Sequence, residues 1–328
     1  MKYINLFFWA LITPLIIFYS GCDDSGVLPH LVPKGRITLT PTNLKTLDVN
    51  TDGWYNLWIG LDSAGNRLWY SAGEFNVDAS GSPVDLSGNA TSFGISDSNS
   101  LNLATKCMVT IEKQHNIFPS LQRLISGNLA AISDSLSCIM DISGDLALGS
   151  AGAKLLTGVG AYYILNSPTT HNASCYRGIW FCDVSGISHF PDSLALPNNG
   201  GWVYQGWLVD HSTNTYYSIG KFYSPYAADL DGAGPCADTA AGYNAPGQDW
   251  IQTGGNCPSA SLNLHSGNCT VFVTLEPSNE VPGSASDNSP FFLRFFSQLI
   301  DPTVGCGQQD NLFNQRVTFP TGRIRIAN

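Results

Sequence analysis

The chain has 328 residues, with 25 acidic side chains against 15 basic ones and a formal charge of −10. Charged residues make up only 12%, about half the usual share, while aromatics reach 11%, too many for a disordered chain. The acids are nearly all Asp, Glu occurring only as Glu74, Glu112, Glu276 and Glu280, and Lys and Arg are scarce beside 33 Gly and 18 Pro. That composition disfavours helices, whose exposed faces prefer Glu, Lys and Arg. A negative chain without a basic stripe is a poor candidate for nucleic acid or an anionic lipid surface.

Taken in chain order, the first element is a leader. Lys2 is followed by the apolar run Leu6 to Phe18, broken by Pro14, too short for a comfortable membrane span and suited to a secretory signal. Tyr19-Ser20-Gly21-Cys22 comes next. Small residues before a cysteine resemble the bacterial lipoprotein signal, and the resemblance makes Cys22 the acylated mature N-terminus, anchored in the membrane. The family usually has an aliphatic residue where Tyr19 stands. The other reading is an ordinary secretory signal, with Cys22 as a disulfide partner. Residues 1–21 are thus expected to be a signal peptide and 22–34 a lipidated tether, placing the protein in the cell envelope, at the outer membrane or cell surface.

Without Cys22 the cysteines are even in number: Cys107, Cys138, Cys175, Cys182, Cys236, Cys257, Cys269 and Cys306. In an exported chain such a set reads as disulfides. None forms a C-x-x-C pair, which disfavours a zinc site. Loop-local closure favours Cys175–Cys182 and Cys236–Cys257, leaving Cys107–Cys138 and Cys269–Cys306.

From residue 53 onward a pattern occurs twice. Gly53-Trp54-Tyr55-x-x-Trp58-Ile59, Gly73-Glu74-Phe75, Leu101-Asn102-Leu103 and Val109-Thr110-Ile111-Glu112 form the first copy. Gly201-Trp202-Val203-Tyr204-x-x-Trp207-Leu208, Gly220-Lys221-Phe222, Leu262-Asn263-Leu264 and Val273-Thr274-Leu275-Glu276 form the second. Upstream, Gly35-Arg36-Ile37 matches Gly178-Ile179-Trp180. The segments are short, β-branched and aromatic, and separated by turn residues, so they predict strands. Arg36 to Thr40, Lys106 to Glu112 and Arg323 to Ile326 alternate, each implying one buried face. Leu121 to Leu129 suits one helical turn or a strand. The fold expected is all-β: two tandem antiparallel β-sandwich domains after a lipoprotein signal peptide, at 35–146 and 147–328, with a long loop insertion at about 223–261.

The repeated Tyr-x-x-Trp, Gly-x-Phe and Val-Thr-Leu/Ile-Glu motifs resemble the extracytoplasmic domain of anti-sigma-K factors, a small β-sandwich. The resemblance implies a fold and an extracytoplasmic sensing or interaction role. The family's sigma-binding helical part finds no counterpart in the sequence, so sigma sequestration is not implied.

No catalytic motif stands out, and no enzyme activity or cofactor is expected. Asp48, Asn50 and Asp52 before Gly53 begin like a calcium loop, but Ile59 stands where a bidentate Glu is required, so a turn is preferred. The repeated Trp54, Tyr55, Trp58, Trp202, Tyr204 and Trp207 are expected in the core. Ligand-facing aromatics are sought instead in the variable parts, as Tyr216, Tyr217, Tyr223, Tyr226, Tyr243 and Trp250. The resulting reading is a lipid-anchored surface protein acting as a structural or protein-interaction module, with self-association through strand edges. The alternatives are a glycan-binding surface lipoprotein and, behind it, a hydrolase with a dispersed site.

Overall fold

The computed structural model describes residues 36–63, 65–96, 101, 103–132, 135–166, 178–181, 196, 201–224, 229–230, 246, 263–278, 289–305 and 308–327. Pro33–Asn328 is one compact unit. Its elements are almost all strands, in three antiparallel sheets. The first half contributes Arg36–Thr42 (β1), Trp54–Ser63 (β2), Asn66–Val77 (β3), Pro83–Val84 (β4), Ala104–Glu112 (β5), Arg123–Asn128 (β6), Ala130–Ile132 (β7) and Ser135–Met140 (β8). A short helix, Ser150–Leu156 (α1), follows. Then come Ala161–Asn166 (β9), Gly178–Trp180 (β10), Trp202–Asp210 (β11), Thr215–Phe222 (β12), Cys269–Pro277 (β13), Arg294–Leu299 (β14), Gln309–Asn314 (β15) and Thr321–Ala327 (β16). The ambiguous Leu121 to Leu129 segment is thus a strand from Arg123, and the helix α1 went unforeseen.

The sheet orders are β1-β16-β8-β7, β4-β3-β2-β5-β6 and β10-β9-β15-β14-β13-β11-β12. The repeat is visible in the pairing. In the first copy β3, β2, β5 and β6 lie side by side; in the second β12, β11, β13 and β14 do the same. Register slips by one residue at Leu57/Trp58 and again at Gly206/Trp207, so the bulge recurs at the repeated tryptophan. Gly73 and Gly220 sit opposite it at φ 153° and 122°, where a side chain would be strained. Tyr55 packs on Phe75 at 5.3 Å and 32°, and Tyr204 on Phe222 at 5.6 Å and 32°. All four rings are fully buried.

Two expectations need correction. The closing strand β16 does not end the second body: it pairs with β1 along Arg36–Thr42 and with β8 along Ser135–Met140. Nor is there a cut between cores at 146/147, because one hydrophobic cluster runs from Ile37 through Leu155, Tyr163 and Tyr204 to Ile326. The physical reason is that alternation tells which face of a strand is buried, but not against which partner. β9 fills the same place in the second copy, between β10 and β15, that β16 fills in the first, between β1 and β8. Each copy therefore passes the strand that follows it into the other copy's sheet.

Sheet edges in the first half are largely covered. Ser126 bridges to Asp141 at the end of β8, and Ile37 bridges to Phe93 beside β1. The sulfurs of Cys107 on β5 and Cys138 on β8 approach to 3.0 Å, linking the two sheets through their interior. The three-residue β7, with all its side chains exposed, ends its sheet with no further strand beside it among the described residues.

Candidate functional site

The second repeated feature lies on the faces of β2–β5 and β11–β13 turned away from the shared core. Trp58 Nε1 donates to Thr110 Oγ1 at 2.9 Å, and that hydroxyl donates to Glu112 Oε1 at 2.5 Å. Trp207 Nε1 donates to Thr274 Oγ1 at 2.9 Å, and Thr274 Oγ1 donates to Glu276 Oε1. Glu112 and Glu276 are 1% and 2% exposed. A carboxylate so buried must be fully hydrogen-bonded. Glu112 also accepts from Asn116 Nδ2 at 2.9 Å and the Ser120 N–H at 3.1 Å, and Glu276 accepts from the Phe291 N–H at 2.9 Å. Register sets each tryptophan diagonal to its threonine on the neighbouring strand, Trp58 facing Met108 and Trp207 facing Phe272, each two residues from Thr110 and Thr274.

The copies differ beside the relays. In the second, Trp207 stacks on Phe272 at 6.3 Å and 11°, and Tyr216 meets Phe272 edge-on at 6.2 Å. The guanidinium of Arg294 lies 3.8 Å from the Phe272 ring centre, and burial pushes its pKa down. In the first, Met108 takes the place of Phe272 and Arg123 that of Arg294, each at the corresponding register position. Nearby, exposed His115 holds its Nδ1 2.8 Å from Glu74 Oε1 and its ring 5.0 Å from Trp54. Sequence reasoning missed this cluster, because Glu74 and His115 come from different strands and loops and carry no motif. Trp54 Nε1, Asn56 Nδ2 and Arg123 Nε are buried here without an acceptor among the described residues.

The structure places the expected residues as follows. Trp58, Tyr55, Trp202, Tyr204 and Trp207 are buried, while Trp54 is half-buried, so the repeated aromatics are largely structural. Tyr216 and Tyr217 are half-buried against aromatic and core neighbours rather than offered to a ligand. Tyr223 is 44% exposed. Tyr226, Tyr243 and Trp250 lie outside the described residues, as do Cys22, Cys175, Cys182, Cys236, Cys257 and Cys306. Among the described residues Cys107, Cys138 and Cys269 are free thiols and no disulfide is formed. The short S···S contact holds the Cys138 thiol below its ordinary pKa and, with burial, Cys107 above it. Burial pushes Cys269 up to about 11.

The Asp48 loop is a turn. Asp48 Oδ1 accepts the Asn50 N–H at 2.9 Å, Asp52 Oδ2 accepts the Asp48 N–H at 3.1 Å, and the Asp48 carbonyl accepts N–H groups of Thr51, Asp52 and Gly53. The same chemistry recurs at Asp78, Asp85, Asp210 and Asp301, each bonding N–H or hydroxyl groups two or more residues on. That explains why the acids are Asp: the shorter side chain reaches its own backbone. No group of three or more potential metal-ligating side chains occurs among the described residues. Nor is any described helix long and apolar enough to cross a membrane, which bears only on helices. No protein-family model, curated protein or solved structure matches the chain.

Proposed function

We propose that the chain is an exported, lipid-anchored surface protein of the cell envelope, acting without enzymatic activity as a structural and protein-interaction module. The observation that carries this reading is the pair of closed relays. In both copies the Trp, Thr and Glu side chains most suited to chemistry bond to one another inside the sheet faces. Groups satisfied in this way hold a frame rather than receive a substrate. The duplicated β-sandwich organisation, with a strand passed each way between copies, belongs to this reading, as does the anti-sigma-K-like extracytoplasmic role. Self-association is supported by the exposed β7 edge with Ile132.

Mass spectrometry of the mature protein tests the address. The expected N-terminus is Cys22 carrying acyl chains; a leader still attached overturns it. Crosslinking at the cell surface tests the role: a recurring protein partner or self-contacts are expected, and recovery of neither counts against an interaction module.

A further inference from the structure

The outward face of the β1-β16-β8-β7 sheet is basic. Arg36 on β1 and Arg323 and Arg325 on β16 are exposed, while Ile37, Leu39, Ile324 and Ile326 between them point into the core. Register sets Thr38 opposite Arg325 and Thr40 opposite Arg323 on this face, with Arg36 one step diagonal to Arg325. Two residues along a strand are about 7 Å apart, and diagonal neighbours about 7–8 Å. On the other side Ser137 and Ile139 flank Arg325 and Arg323, and Ile139 is 61% exposed. The four strands carry no Asp or Glu. None of the three arginines has an ion-pair partner among the described residues. In a chain of net charge −10, three guanidinium groups on one face, with no carboxylate in its strands and no ion-pair partner among the described residues, are a concentrated exception.

The face also lies where the chain comes from its proposed anchor. β1 begins at Arg36, 14 residues after Cys22, a reach of at most about 50 Å. We propose that this sheet face docks on the phosphate-bearing headgroups of an anionic membrane surface, so that the anchored protein lies against the bilayer with its acidic remainder outward. The inference rests on the lipid-anchored reading. Arginine suits this task because its planar donors grip phosphate oxygens in pairs. An exposed isoleucine among them adds apolar contact at the interface. The expectation that the chain has no basic stripe is corrected here: the stripe is assembled from the two ends of the described fold.

The test uses the full chain reconstituted in vesicles of phosphatidylcholine alone or with phosphatidylglycerol. Flotation is followed by arginine-selective dicarbonyl labelling read by mass spectrometry. Labelling of Arg36, Arg323 and Arg325 should slow by about tenfold on phosphatidylglycerol vesicles only, and recover in roughly 1 M salt. The exposed Arg316 should label equally in all conditions. In the R323E/R325E chain, substituted at exposed positions, Arg36 should lose its shielding while flotation persists. Equal labelling on both vesicle types overturns the proposal. Shielding by a soluble polyuronate on phosphatidylcholine vesicles, as strong as that by phosphatidylglycerol, also overturns it, in favour of an anionic polymer. A chain that does not float with any vesicle fails the anchor reading instead, so the two failures are told apart.

Discussion

The two halves share a frame and differ in filling. Both place a tryptophan after a bulge, donate its indole N–H to a threonine and end on a buried glutamate. Yet the first half sets Met108 and Arg123 where the second sets Phe272 under Arg294, and it brings the thiols of Cys107 and Cys138 together. Glu74 in the first copy also corresponds to Lys221 in the second. What recurs is what backbone geometry requires, namely the bulge, the glycine opposite it and the hydrogen-bonded relay. What varies is side-chain volume and charge that each core accommodates in its own way. The strands β9 and β16 complicate the division, since each serves the half it does not follow.

The sharpest way to break this picture is Ile324→Ala. The side chain is fully buried, and its loss should cost about 2–5 kcal/mol. Hydrogen exchange should then quicken in Arg36–Thr42 and Ser135–Met140, the partners of β16, before the second copy's strands. Faster exchange confined to β13 and β14 would mean that β16 does not serve the first half.

Next is the thiol pair of the first half, Cys107 and Cys138. Oxidation joins the two sulfurs and releases two protons and two electrons to an added disulfide oxidant such as oxidised glutathione. It should raise the unfolding free energy by about 2–4 kcal/mol, with Cys138→Ser abolishing the gain. Calorimetry of oxidised and reduced protein, with a mass loss of two hydrogens, checks this; an unchanged melt would show that the sheets gain nothing from the link.

Thr110→Val and Thr274→Val compare the relays directly. Each leaves an indole N–H and a glutamate short of a partner inside the protein, so each should cost about 1–3 kcal/mol in urea unfolding. Similar losses within one transition would sharpen the equivalence of the halves. A loss at one site alone would break it.

The smallest effect concerns acid. Asp62, Asp78, Asp85, Asp210 and Asp301 all have lowered pKa values. The Arg67 side chain is the main cause at Asp62, and turn hydroxyl or N–H groups at Asp78, Asp85 and Asp301. Because the unfolded chain takes up protons first, their contribution is present above the ordinary Asp pKa of about 3.9. It fades as pH falls through the lowered folded values. Melting temperature should therefore hold near neutral pH and drop below about pH 4, slightly less steeply in Asp85→Ala. A pH-independent melt would remove the turns from the account.

Strand content was legible because alternation and turn residues are local: β1, β5 and β16 begin at Arg36, Ala104 and Thr321, against the Arg36, Lys106 and Arg323 that the sequence predicts. The repeat was legible for the same reason, as were the burial of Tyr55 and Tyr204 and the turn at Asp48. The helix α1 was missed because it is only seven residues long, carries Gly152 in its interior and has no side-chain cap to announce it. Tyr216 was misjudged as loop-exposed because nothing local foretells Phe272 and Arg294 beside it.

By itself the sequence determined the β class, the duplicated motifs and the Asp-built turns, all set by interactions between residues a few positions apart. Only the tertiary structure decided that β16 lies between β1 and β8 and that Arg36 joins Arg323 and Arg325 on one face. Those contacts bring together residues distant in the chain. Their energy comes from burying a shared core, and no local pattern records which strands will share it.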